Sequence, residues 1–152
     1  MFLRKKNSFV ALLIVLILSG CALKPISSEY AFVKMEVNDI QLDKLGNGNV
    51  LIYNGADILH RIDNTARLNV LINEKALGQV RPAEYVVLNL QKGEYQFKLR
   101  HIDLVNMRSE HDVEIDESTK VIRIEPTINS NKLTITNQLP KKFDKFKFMQ
   151  NR

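Results

Sequence analysis

An all-β fold, a small antiparallel β-sandwich of about seven to nine strands, is what this chain predicts, and three observations carry that expectation. Apolar and polar residues alternate with a period of two in several short segments, most cleanly where Tyr95, Phe97 and Leu99 interleave with Glu94, Gln96, Lys98 and Arg100. Clusters of Asn, Asp, Ser and Gly separate those segments at short, regular intervals. Beyond the N-terminal apolar run, no stretch sustains a helical period.

The elements follow in order. Residues 32–37 and 50–53 read as the first two strands, with Leu45-Gly46-Asn47-Gly48-Asn49 as the loop between them. Leu68, Val70 and Ile72 form one face of a strand, and Asn73-Glu74-Lys75 turns it back into a short strand over 76–80. Residues 85–90 and the 94–100 segment read as a hairpin about Gln91-Lys92-Gly93, with Gly93 at the left-handed position of a three-residue loop. Ile102 and Leu104 fall out of phase with Leu99, which predicts a bulge or strand end near Arg100-His101. Val113 and Ile115 alternate with Asp112, Glu114 and Asp116; Asp116-Glu117-Ser118-Thr119 then turns into a strand over 120–124, and Leu133 and Ile135 mark the next one. Each strand is expected to bury one face and wet the other.

The N-terminus carries a different signal. Arg4, Lys5 and Lys6 precede an apolar run from Phe9 to Leu18, about ten residues and so the length of a signal-peptide core. A spanning helix needs roughly twenty. The run ends in Leu18-Ser19-Gly20-Cys21, which resembles the lipobox of bacterial lipoproteins. The resemblance implies that Leu18, Ser19 and Gly20 are read by the processing peptidase. It also implies that Cys21 takes a diacylglyceryl thioether and an N-acyl chain, a covalent lipid rather than a cofactor. Two or more acyl chains give a lasting anchor where one is marginal. Ala22 stands where an aspartate would signal inner-membrane retention, so the expected location is the periplasmic face of the outer membrane. Residues 22–29 read as a short tether, reaching about 28 Å when extended, ahead of a domain over 30–139.

Composition narrows the function classes. The net charge is +5, but three of the 22 basic side chains belong to the leader, and the rest nearly balance 17 acidic ones. A nucleic-acid partner loses its electrostatic basis. Cys21 is the single cysteine; once lipidated it leaves no thiol for a disulfide, a metal or nucleophilic catalysis.

The segment from Leu68 to Leu99 contains a strand, a polar turn, Ala76-Leu77-Gly78-Gln79-Val80, a second strand, and then Lys92-Gly93-Glu94-Tyr95-Gln96-Phe97. It is similar to PEGA-type modules and related envelope-lipoprotein domains. It departs from their pattern at Asn73-Glu74, where Asp-Gly is usual, and at Lys92, where Pro is usual. The resemblance implies a small β-sandwich; these modules mostly have no assigned chemistry.

Candidate sites are few. His60, His101 and His111 lack the spacing of a metal clamp and read as polar residues at strand ends and loops. Asp112, Glu114 and Asp116 share a strand face opposite Val113 and Ile115, which makes that face solvated, with a weak cation site as the alternative. Ser109 and His111 are close in sequence, but Gly-x-Ser-x-Gly is absent. Gly46-Asn47-Gly48 lacks the lysine and helix of a phosphate loop. No metal is expected. In the tail over 140–152, Phe143, Phe146, Phe148, Lys145 and Lys147 are the candidate partner-binding residues. That tail reads as an edge strand, as a segment docking a partner, or as a basic-aromatic strip on anionic headgroups. The 46–49 loop and the Arg81-Pro82-Ala83 bend are further candidates. The resulting expectation is a non-enzymatic, lipid-anchored accessory subunit of a larger envelope assembly with protein partners, of the secretion or surface-organelle kind. The alternatives are a glycan- or peptide-acting enzyme using Glu110, Asp112 or Glu114 as base, and an inhibitor or immunity lipoprotein.

Overall fold

The computed structural model describes residues 23–56, 65–103 and 105–152; the lipobox-like Leu18-Ser19-Gly20-Cys21 and His60 lie outside them. Nine strands run in chain order: β1 (Asn49–Asn54), β2 (Leu68–Ile72), β3 (Lys75–Val80), β4 (Glu84–Asn89), β5 (Gly93–Ile102), β6 (Asn106–Ile115), β7 (Val121–Pro126), β8 (Asn131–Ile135) and β9 (Lys147–Phe148). They form a five-stranded sheet, β8-β7-β1-β4-β9, and a four-stranded sheet, β3-β2-β5-β6. This is the expected all-β sandwich. Two neighbouring pairs, β1–β7 and β4–β9, are parallel.

Between the sheets lies a core that includes Val50, Ile52, Leu68, Ile72, Val86, Leu88, Phe97, Leu99, Ile115 and Ile122. A second apolar cluster sits on the outer face of the five-stranded sheet. There Leu51, Tyr53, Tyr85, Val87 and Val121 are covered by Ile40 and Leu45 from the N-terminal side and by Phe146 from the C-terminal side. The one-sided expectation therefore fails for β1 and β4. Both faces of these strands are buried, and a strand buried on both faces reads as an unbroken apolar run, as Val50-Leu51-Ile52-Tyr53 and Tyr85-Val86-Val87-Leu88 do.

The connections correct the hairpin reading. β2 and β3 do form a hairpin, about two residues rather than three: Asn73 and Glu74 take φ of 48° and 64°, the left-handed pair of a two-residue turn. The 90–92 and 116–120 connections instead cross between sheets, because β4 and β7 belong to one sheet and β5 and β6 to the other. Gly93, at φ 158°, opens β5 near the extended region instead of closing a turn. Turn residues mark where a chain reverses; they do not say which sheet the next strand joins.

No bulge interrupts β5. Its pairing with β6 runs unbroken from Gly93↔Ile115 to Ile102↔Asn106. His101 takes the inward place after Phe97 and Leu99 and is buried, so a polar residue at a core position disguised a continuing alternation. The register shift lies instead between Val70 and Leu71 on β2, opposite Gly78 and Ala76. Leu77 is the extra residue there, and Gly78 has φ 119°, a conformation that favours glycine.

The expected strand over 32–37 forms no ladder. Val33 N–H donates to Val87 C=O (2.9 Å) and the Tyr85 hydroxyl donates to Met35 C=O (2.8 Å). The segment thus lies against β4, then ends in a 3-10 turn at Val37–Asp39.

Both terminal segments are part of the packed structure. Leu23 is buried, its carbonyl accepting from Gln79 Nε2 (3.0 Å), while Lys24 C=O accepts from Asn69 Nδ2 (2.8 Å). Glu29 exchanges two hydrogen bonds with Ala76 on the β3 edge. Ser27 Oγ donates to Arg152 C=O (2.8 Å), and Arg152 forms an ion pair with Glu84. The expected tether is a docked strap.

Candidate functional site

The β5–β6 hairpin concentrates the polar chemistry of the sandwich. Its inward residues alternate with outward ones on both strands, and the register sets the outward residues in opposed pairs. Glu94 faces Glu114, Gln96 faces Asp112, Lys98 faces Glu110 and Arg100 faces Arg108. Like charges directly opposite each other destabilise a sheet. The hairpin carries such a pair at each end, acidic near the turn into β7 and basic near its own tip. In the middle Lys98 bridges Glu74 and Glu110, and the Glu74 hydrogen bond holds its ammonium above the ordinary lysine range. A groove of about 580 Å³ lies over the acidic end, lined by Asn73, Glu94, Tyr95, Gln96, Asp112 and Glu114. Replacing Glu114 by Lys turns the repelling pair into an attracting one. We expect it to raise stability by a few tenths to about 1 kcal/mol, read as a higher urea midpoint at unchanged m-value.

β6 is also a sheet edge. Over ten residues it is laddered to β5 alone among the described residues. The exposed Arg108, Glu110, Asp112 and Glu114 are the kind of charged decoration that keeps an edge from pairing indiscriminately.

On its inner face β6 meets β8 in a polar seam. Ser109 Oγ and His111 Nε2 are 2.9 Å apart. His101 Nδ1 lies 2.6 Å from Asn131 Oδ1, and Asn131 Nδ2 donates to Leu99 C=O (3.2 Å). His101 thus sits at the strand end expected of it, next to last on β5, but faces inward; His111 departs from the expectation, lying inward in the middle of β6. The Ser–His contact is the start of a nucleophilic pair. Acyl transfer also needs donors for the oxyanion. Burial pushes the His111 imidazole below the ordinary histidine range, and its hydrogen bond to the Asn131 backbone offsets part of this. The neutral ring is favoured in the folded state. Its contribution is complete above the ordinary histidine value and is lost as pH falls from there through the depressed folded value. His111→Gln should therefore flatten the loss of stability on acidification below neutrality, measured by urea melts across pH. An NMR titration of the wild-type ring should give a midpoint below the ordinary one.

The other expected site residues are accounted for as follows. Asp116 is not on the β6 face; the strand ends at Ile115 and Asp116 turns back to accept from Ser118 N–H (2.8 Å), Ser118 Oγ (2.7 Å) and Thr119 Oγ1 (3.0 Å). These hydrogen bonds hold its carboxyl below the usual carboxylate range. The 46–49 loop borders a depression of about 300 Å³ with Asn89, Lys92, Asp116 and Glu117. The Arg81-Pro82-Ala83 bend is held by Arg81 N–H donating to Glu84 Oε2 (3.0 Å) and by Lys147 N–H donating to Ala83 C=O (2.9 Å). Among the described residues no group of three His, Cys, Asp or Glu could hold a metal ion, and no helix is long and apolar enough to cross a membrane.

The tail takes the edge-strand arrangement. Phe146 is buried with its ring centroid 5.7 Å from Tyr53. Phe143 lies 5.1 Å from Tyr85, and Phe148 packs between Tyr85 (5.6 Å) and Phe32 (6.0 Å). Phe146 is thus an internal packing group, Phe143 and Phe148 are half-buried against the sheet, and Lys145 and Lys147 are exposed.

The opposed charges of β5 and β6 were the feature sequence reading passed over. Folding the chain about residues 103–105 and pairing outward from there exposes them.

No family model, curated protein or solved structure matches the chain.

Proposed function

We propose that this protein is a lipid-anchored binding subunit of the bacterial cell envelope and that β6 is its docking edge. The observation that carries the reading is the ten-residue edge strand with an acidic outer face. A partner strand added there would satisfy the open backbone groups, and lysine or arginine side chains on its matching face would neutralise Glu94, Asp112 and Glu114. The like-charge pair that weakens the free protein would then strengthen the complex. The lipobox at Leu18-Ser19-Gly20-Cys21 supports the envelope setting.

The test is affinity purification of the tagged protein after gentle crosslinking of whole envelopes, beside Cys21→Ala and Glu114→Lys. We expect a stoichiometric set of envelope proteins that is weakened by both substitutions. Recovery of the lipoprotein by itself would sink the reading.

A further inference from the structure

One end of the sandwich carries three features that converge. The side chain of Asn54, at the end of β1, donates to Ala66 C=O (2.6 Å) and Val80 C=O (3.0 Å), which sets the end of β1 level with the end of β3. From that level the β5–β6 hairpin runs on past Asn69↔Arg100 to Ile102↔Asn106. On the other sheet the β7–β8 hairpin runs on past Asn54↔Ile124 to Pro126↔Asn131. The two hairpins, one from each sheet, therefore project at the same end, and their turns carry Val105 and Ile128, 59% and 77% exposed.

Cations accompany these apolar tips. Arg100 and Arg108 oppose each other just behind Val105. Lys24 is exposed at the same end, held by its carbonyl to Asn69. Arg81 stands among Arg67, Arg152 and Glu84. Of the described carboxylates there, Glu84 is engaged by Arg152, Glu125 is engaged by Arg123 and Asp103 sits in the hairpin turn. The far end of the same hairpin is acidic, with Glu94 opposite Glu114.

The described N-terminal strap also begins at this end: Leu23, two residues after Cys21 in the sequence, is buried and hydrogen-bonded to Gln79 beside Val80.

We propose that this end is a membrane-contact surface. Val105 and Ile128 enter the interfacial layer of an anionic leaflet, while Arg100, Arg108 and Lys24 lie against its phosphates. The proposal rests on acylation of Cys21. Because the strap over 23–29 is docked, a lipid on Cys21 would be joined to the folded domain through a short connection and would hold the tips near headgroup level, with the acidic end and its groove turned away from the bilayer. Each cation near an anionic surface favours that orientation by about fivefold.

The chain contains no tryptophan, so single reporters are clean. The full-length protein is matured in cells as Val105→Trp, Ile128→Trp and Glu117→Trp, with Glu117→Trp reporting the opposite end. Each variant is reconstituted into vesicles of phosphatidylglycerol with brominated acyl chains, and mass spectrometry of the N-terminal peptide records the acyl chains. All three sites are exposed, and matching thermal melts confirm equal folding. The expected result is acylated protein in which the tryptophans at 105 and 128 lose most of their emission and the one at 117 loses little. In the Val105→Trp background, adding Arg100→Glu and Arg108→Glu should restore emission. Acylated protein in which neither tip, one tip only, or all three positions are quenched would overturn the membrane-contact surface and leave the anchor standing; an acidic protein partner for this end would be the next occupant to test. An N-terminal peptide without acyl chains would overturn the anchor, and the proposal with it.

Discussion

Deleting residues 141–152 is expected to unfold the domain or to lower its melting temperature by tens of degrees. The deletion removes Phe146 and Met149, which are 8% and 1% exposed, the half-buried Phe143 and Phe148, the β9 pairing with β4 and the Arg152–Glu84 ion pair. Truncating one buried Phe or Met to Ala typically costs about 2–5 kcal/mol. The combined loss therefore approaches the whole stability of an ordinary domain, about 5–15 kcal/mol. It also uncovers Tyr53 and Tyr85 on the outer face of the five-stranded sheet and removes Met149 from the inner core. Single substitutions separate the contributions. Phe146→Ala should cost about 3 kcal/mol, while Lys145→Ala and Lys147→Ala, both exposed, should stay within about 0.5 kcal/mol. Urea denaturation of the four proteins checks this. A truncated protein that melts like the wild type would return the tail to the docking reading.

Asn54→Ala is the second large effect, expected at about 3–5 kcal/mol from the loss of three buried hydrogen bonds. Asn54 is fully buried. Its Nδ2 donates to Ala66 C=O (2.6 Å) and Val80 C=O (3.0 Å), and its Oδ1 accepts from Ala56 N–H (3.0 Å). One side chain thus ties the end of β1 in the five-stranded sheet to the end of β3 in the four-stranded sheet. Alanine removes all three of these hydrogen bonds at a site where Asn54, Ala56, Ala66 and Val80 are all buried. Asn54→Asp should do worse at neutral pH, because it sets a carboxylate against two carbonyl oxygens, and it should recover in part as pH falls and the carboxyl takes a proton. Denaturation at two pH values reads both effects. Equal stability of wild type and Asn54→Ala would mean that the side chain contributes no net stability at this joint.

The strands themselves were legible. Alternation and turn residues located eight of the nine, since both report local backbone geometry and one-sided burial, but β6 was read only from Asp112 although it begins at Asn106, and β5 was read as ending near Arg100 although it runs to Ile102. β9 was legible only as a segment with Phe146 and Phe148 on one side, one of three readings of the tail, because two residues carry no period. The strand expected at 32–37 shows the reverse error: alternation there reflects packing of an extended segment over a sheet face, without the ladder.

His101 shows why the inner seam stayed hidden. A polar residue reads as outward until its partner is known, and that partner, Asn131, is 30 residues away on the other sheet. The same distance in sequence hid the Glu94–Glu114 and Arg100–Arg108 oppositions.

The sequence by itself determined the fold class, most strand positions, the lipobox resemblance and the absence of recognisable catalytic motifs. All of these rest on neighbours within a few residues, where sterics, period and residue type act directly. Only the tertiary structure decided which sheet each strand joins, that the five-stranded sheet is covered on both faces, and that both terminal segments are docked. It alone also decided that charge is graded along one hairpin. Those outcomes depend on which distant apolar surfaces find one another. Burial rewards area without regard to sequence separation, so no local pattern encodes them.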